Sequence, residues 1–143
     1  NGLEIFDKRP SYTSHEVYSR INAFPENGRI LYKQFTYTID VLFPITLFTF
    51  LFLLSRFTIR RIAITKTLRI VLIASPIIWI SLDFIENAII FILLDIFPEK
   101  NVPLAGCLGY VTITKFSFLL VSLLGPTVLI VIYNLSKRLP ASH

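Results

Sequence analysis

The chain has 143 residues, of which 54% are hydrophobic and thirteen are Phe, and its mean hydropathy is clearly positive, so water is not its main solvent. Fourteen Lys and Arg against nine Asp and Glu give a net charge of +5; the bases cluster at the ends of apolar runs, which argues for membrane placement and against nucleic acid as a partner. The single cysteine, Cys107, makes no internal disulfide, and with only two histidines there is no recognisable metal-ligand set, so no metal and no cofactor is expected.

Asn1 in place of an initiator methionine is expected of a processed or partial chain, residues 1 to 34 are too polar for a signal peptide, and His143 suits a tag. Residues 1 to 34 are read as an N-terminal interfacial segment. Thr13 and Glu16 have the N-cap and N3 spacing of a capping box ahead of SHEVYSRINAF, and Val17, Ile21 and Phe24 then share one helical face. Such a short amphipathic helix is predicted to lie on the membrane surface or to cap a bundle, apolar stripe inward. FPENGR, residues 24 to 29, is predicted to be a turn in which Pro25 and Asn27-Gly28 break the helix before GRILYKQF climbs toward the membrane.

Residues 35 to 139 are read as a transmembrane helical bundle of three spans, since about 18 or more apolar residues cross the hydrocarbon layer as a helix. Span one covers Phe35 to Phe57, with Tyr32 and Tyr37 at the level of the interfacial aromatic belt. The connector RFTIRRIAITKTLR carries Arg56, Arg60, Arg61, Lys66 and Arg69, which the positive-inside rule sets on the cytoplasmic face. The N-terminus is then outside and the C-terminus, with Lys137 and Arg138, inside; Arg29, Lys33 and Lys100 near the other face reduce the contrast. The membrane is the cell inner membrane if the source is bacterial.

Span two covers Leu68 to Phe97 and is longer than a bilayer requires, which implies tilt or a protruding end. FPEKNVP, residues 97 to 103, is the turn, and span three extends from Leu104 to Leu135 as one helix kinked at Gly125-Pro126, because two half-length spans would each be too short. The predicted fold class is therefore all-α: an integral membrane protein with three transmembrane helices, the third kinked, and a short N-terminal amphipathic helix. No internal repeat, phosphate loop or nucleophile elbow is present in the sequence.

SLDFIENAII, residues 81 to 90, sets Asp83, Glu86 and Asn87 at i, i+3 and i+4, one polar face in an apolar span, with Trp79 and Ile90 continuing the stripe. A charge at the bilayer centre costs about 2.5 to 3.5 kcal/mol, so such acids face protein or water and find partners. The partner lies in GYVTITKFSF: Glu86 is roughly 16 Å before Phe97 and Lys115 roughly 18 Å beyond Pro103, so an antiparallel hairpin brings them to one depth. Asn87 is expected to bond Thr112 or Thr114 in the neighbouring layer, and Asp83 to share the lysine or be protonated. Asp40 stands four residues before Pro44, which removes the helical donor to the Asp40 carbonyl and leaves an acceptor beside a carboxylate for a cation, a lipid amine or a donor from span three; the alternative is an interfacial Asp beside a bend. Asp95, Glu99 and Lys100 are read as solvated, and Ser75-Pro76 and Ser122 as polar groups that relieve proline kinks.

Gly28-Arg29 with Tyr32, Asp40 with Phe43-Pro44, Asp83 with Glu86-Asn87, and Thr112 with Lys115 occur in an order that resembles a family of small bacterial polytopic membrane proteins. The resemblance spans roughly residues 10 to 120, and it implies that these polar residues form one recurring constellation; it implies no substrate.

Two functions fit the residues. One is a non-enzymatic membrane subunit or oligomeric scaffold, whose Asp83, Glu86, Asn87, Lys115, Thr112 and Asp40 hold its own fold while Phe-, Ile- and Leu-rich faces meet membrane lipids and other membrane-protein chains or further copies. The other is an intramembrane lipid-headgroup enzyme, or a proton or ion pathway, using Asp83 and Glu86 as acid and base with Lys115 as electrostatic anchor. Whether the chain is an enzyme is left open by the sequence, although no nucleophile stands beside a histidine.

Overall fold

A computed structural model describes residues 13 to 138, with the side chains of 32 to 39 and of 138 excepted. The expectations placed on His143 and on the side chains of Tyr32, Lys33, Tyr37 and Arg138 lie outside the described residues. Four helices follow in order: α1 (Ser14–Ala23), α2 (Glu26–Arg61), α3 (Lys66–Ile96) and α4 (Val102–Arg138). The described residues contain no strand, so the fold is all-α, and α2, α3 and α4 each contain a stretch long and apolar enough to cross a membrane.

The capping box forms at α1. The Glu16 N–H donates to Thr13 Oγ1 at 3.2 Å, and the Thr13 N–H donates to Glu16 Oε2 at 2.8 Å. Val17, Tyr18 and Ile21 are buried against Ile89, Ile90, Leu93 and Leu94 of α3 and Ala105 and Leu108 of α4. The helix thus lies across the end of the α3–α4 hairpin with its apolar stripe inward. There the Tyr18 hydroxyl accepts the Asn101 N–H, and Asn101 Oδ1 accepts the Leu104 N–H at 3.0 Å, which caps α4.

The predicted turn at 24 to 29 is shorter in the structure. Only Phe24 and Pro25 leave the helical conformation, both extended, while Asn27 and Gly28 lie in the first turn of α2. The reason is local: the residue before a proline is pushed to extended backbone, whereas the first turn of a helix has no intrahelical donors to lose and tolerates Asn and Gly. Gly28 also makes room for the proline, since a Cβ at that position would stand 3.2 Å from Pro25 Cδ.

α3 is the central element, packed against both α2 and α4, and among the described residues it carries more buried side chains than either of the other two spans. α4 continues without a break through Gly125 and Pro126, one span rather than two. Gly125 has a packing role as well: its absent side chain admits Leu72 of α3, whose Cδ2 would be 3.1 Å from an added Cβ. Ser122 Oγ donates to the Phe118 carbonyl at 2.7 Å, but the buried hydroxyl of Ser75 has no partner among the described residues, so it does not relieve the break at Pro76.

The outer faces of α2 and α4 are apolar and exposed, with Phe43, Phe50 and Leu53 on one and Leu120, Leu124 and Ile132 on the other. Hydroxyls on exposed faces are satisfied within their own helices: Thr46, Thr49, Ser81, Thr114, Ser117 and Thr127 each donate to the carbonyl four residues earlier, at 2.6 to 3.0 Å. A surface of this kind demands nothing of water, which is the condition for contact with hydrocarbon.

Candidate functional site

All six polar residues singled out in the sequence meet in one seam, where α3 touches α4 on one side and α2 on the other. Glu86 is the innermost, 1% exposed. Its Oε2 accepts Lys115 Nζ and its Oε1 accepts the Thr112 hydroxyl, so both carboxylate oxygens are engaged from α4. The Thr112 hydroxyl has a single proton, and the Leu108 carbonyl is also within reach at 2.9 Å; the carboxylate is the stronger acceptor of the two. Lys115 extends to a second acid as well, with Nζ 3.2 Å from Asp83 Oδ1 and 5.4 Å from the centre of the Phe116 ring.

Asn87 faces α2, not α4. Its Nδ2 donates to the Asp40 carbonyl at 3.2 Å and stands 3.4 Å from Asp83 Oδ2, so the expected bonds to Thr112 or Thr114 do not form. The helical geometry accounts for this: Asn87 follows Glu86 by about 100° around α3, and Glu86 already occupies the α4 side. The donor to the carbonyl freed by Pro44 therefore comes from the second span, not the third. Asp40 lies 14 residues into α2, which begins at Glu26, and is level with Asn87 of α3.

From α2 to α4 the polar contacts form an unbroken chain: Asp40 carbonyl, Asn87 amide, Asp83 carboxylate, Lys115 ammonium, Glu86 carboxylate, Thr112 hydroxyl. Beside it is a cavity of about 300 Å³, whose walls include Asp40, Phe43, Trp79, Asp83, Lys115 and Phe116. Trp79, one turn before Asp83, is 3% exposed, and its indole N–H is buried without an acceptor among the described residues. No group of three or more His, Cys, Asp or Glu gathers at a metal-binding distance among the described residues, and Cys107 is exposed and outside the seam.

Arg29 is a contributor that charge counting alone treats as a surface base. Its Nη1 donates to the Phe24 carbonyl at 3.1 Å, and its guanidinium lies 4.7 Å from the centre of the Phe97 ring. It thereby ties the α1–α2 break to the end of α3. The pattern Gly28-Arg29 carried the only signal for this, since a proline-flanked glycine next to an arginine marks a close turn without saying which carbonyl or ring it reaches.

Comparison of the chain with protein-family models, with curated proteins and with solved structures returns no match.

Proposed function

We propose that this protein is a non-enzymatic membrane subunit or oligomeric scaffold, in which the Asp83–Glu86–Lys115 cluster is an intramembrane ion-pair clamp and the outer faces of α2 and α4 meet lipid and neighbouring chains. The observation that carries the reading is the closure of Glu86: a carboxylate with both oxygens engaged and 1% exposure presents no accessible oxygen to a reactant. A clamp, by contrast, needs that saturation, because polar groups in hydrocarbon are tolerated when they satisfy one another and then specify which helix faces meet.

Membrane depth supports the same reading. Arg69 and Asp95 bracket about 39 Å of α3, and Asp83 is about 21 Å from the first and 18 Å from the second, close to the middle of a bilayer. The proposed orientation sets Arg56, Arg60, Arg61, Lys66, Arg69 and Lys137 on the cytoplasmic side, of the inner membrane in a bacterial cell, because the antiparallel order of the helices gathers these bases at one end of the bundle. The buried share of the apolar window is 22% in α2 and 11% in α4, which leaves most of both helices to partners outside the chain.

Native mass spectrometry of protein extracted in a mild detergent tests the proposal. The expected result is a species heavier than one chain, reduced by Glu86→Gln; a well-behaved monomer that retains no partner, with or without the substitution, overturns it. The alternative, catalysis or ion passage through Asp83 and Glu86, draws support from the cavity at Asp83 but none from Glu86.

A further inference from the structure

We infer that the end of the bundle formed by α2, α3 and their connector is a binding site for anionic phospholipids, in which Arg56, Arg60, Arg61, Lys66 and Arg69 hold headgroup phosphates while neighbouring apolar side chains meet the acyl chains. The inference rests on the membrane placement of α2 and α3. It does not depend on the number of chains in the assembly or on which side of the membrane the bases face.

Three observations lead to it. First, the bases stand far from any acid of their own helices. The sequence holds no Asp or Glu between Asp40 and Asp83, nor any after Glu99, so the nearest acids along α2 and α3 are roughly 24 Å from Arg56 and 21 Å from Arg69, well beyond a Debye length of about 8 Å. All five bases are exposed, and none of their side chains forms an ion pair among the described residues. Second, they occupy a narrow band: Arg56 to Arg61 is about 7.5 Å of helix rise and Lys66 to Arg69 about 4.5 Å, against a headgroup layer of about 5 to 8 Å on each side of the bilayer. Third, exposed apolar side chains interleave with them. Leu53 and Phe57 flank Arg56 on α2, and Ile70 and Val71 follow Arg69 on α3. The Arg61 guanidinium folds back over the Phe57 ring, 5.1 Å from its centre, one turn toward the hydrocarbon, which sets its N–H edge at the depth of phosphate oxygens. A soluble polyanion would leave those apolar side chains in water, whereas a phospholipid covers both surfaces, phosphate on the bases and chains on Phe57 and Ile70. A zwitterionic headgroup brings its own ammonium into the same band, where the bases repel it, so the site selects lipids of net negative headgroup charge.

Protein purified in a mild nonionic detergent is titrated with phosphatidylglycerol, cardiolipin or phosphatidylcholine of matched acyl chains, and bound lipid is read as adduct mass by native mass spectrometry. The same spectra report the number of chains, so a monomer that retains anionic lipid overturns the scaffold reading and supports this one. The two anionic lipids are expected to bind about tenfold or more tighter than phosphatidylcholine, with a preference that shrinks as salt rises. The double variant Arg60→Gln/Arg61→Gln, at exposed positions, is expected to weaken anionic lipid by about tenfold with an unchanged melting temperature. Arg56→Gln is a second variant, expected to weaken it severalfold, and Lys100→Gln, at the opposite end of the bundle, is expected to leave it unchanged. Glycerol phosphate, a headgroup without chains, and a short oligonucleotide, a soluble polyanion, test the commitment to lipid, and both are expected to bind more weakly than phosphatidylglycerol. Equal binding of phosphatidylcholine, full affinity in both arginine variants, an equal loss in Lys100→Gln, or either soluble anion binding as tightly as the anionic lipids overturns the inference.

Discussion

Lys115 bridges Asp83 and Glu86, so its loss and the loss of one acid are not equivalent. Lys115→Met leaves two carboxylates against each other and is expected to cost about 3 to 5 kcal/mol, the range for removing one partner of a buried pair. Glu86→Gln leaves Asp83 and Lys115 matched one to one, keeps an acceptor for Thr112, and is expected to cost about 1 kcal/mol. In the double variant one of the two facing acids is gone, and part of the Lys115→Met loss should return. Reversible unfolding in mixed detergent micelles measures the cycle; equal effects of Glu86→Gln with and without the lysine mean that the two are not coupled. A second cycle concerns Asn87, which replaces the helical donor that Pro44 withholds from the Asp40 carbonyl. Asn87→Leu orphans that carbonyl and is expected to cost about 1 to 2 kcal/mol. Pro44→Ala restores an N–H four residues from Asp40, so it should be better tolerated in the Asn87→Leu background than in the native chain, and the same unfolding assay decides it.

At the level of elements, each helix terminus or contact is held by a feature of different legibility. The capping box of α1 was readable because both halves of it lie within four residues, Thr13 and Glu16. The meeting of Glu86 and Lys115 was readable because α3 and α4 are joined by a short turn, and counting rise from that turn compares depths on adjacent antiparallel helices. The α2 side was not. Its register depends on where α2 starts, and Asn27-Gly28 has turn chemistry in isolation yet lies in the first helical turn behind Pro25. Nor does a sequence say which way Asn87 turns once Glu86 has taken the α4 face, or that Gly125 serves Leu72 as well as Pro126. Gly125→Val sets a branched side chain against Leu72 and should cost about 1 to 3 kcal/mol by wedging α3 from α4. Arg29→Ala acts more locally: loss of its bond to the Phe24 carbonyl and its stacking on Phe97 should speed amide exchange over Val17 to Ile21 while global unfolding changes little.

For the molecule as a whole, the spacing of charge and the closure of the seam argue for the same placement. The helices α2 and α4 are about 54 and 55 Å long against a hydrocarbon layer of about 30 Å, so their ends stand in the headgroups or in water, and only the polar seam needs an internal solution. That solution is available because α3 supplies acids on one face and α4 returns antiparallel with its lysine at the same height. In the proposed orientation the basic end of the bundle is on the cytoplasmic side. Cysteine labelling reads that direction in a Cys107→Ser background: Glu99→Cys, on the α3–α4 turn, should react with a membrane-impermeant maleimide in intact cells, and Ser136→Cys, near the end of α4, only after permeabilisation. The reverse pattern inverts the orientation and leaves the seam at the same depth. Labelling of both sites from one side contradicts three crossings, since an odd number of spans separates the turn at residue 99 from the end of α4 by one passage of the bilayer.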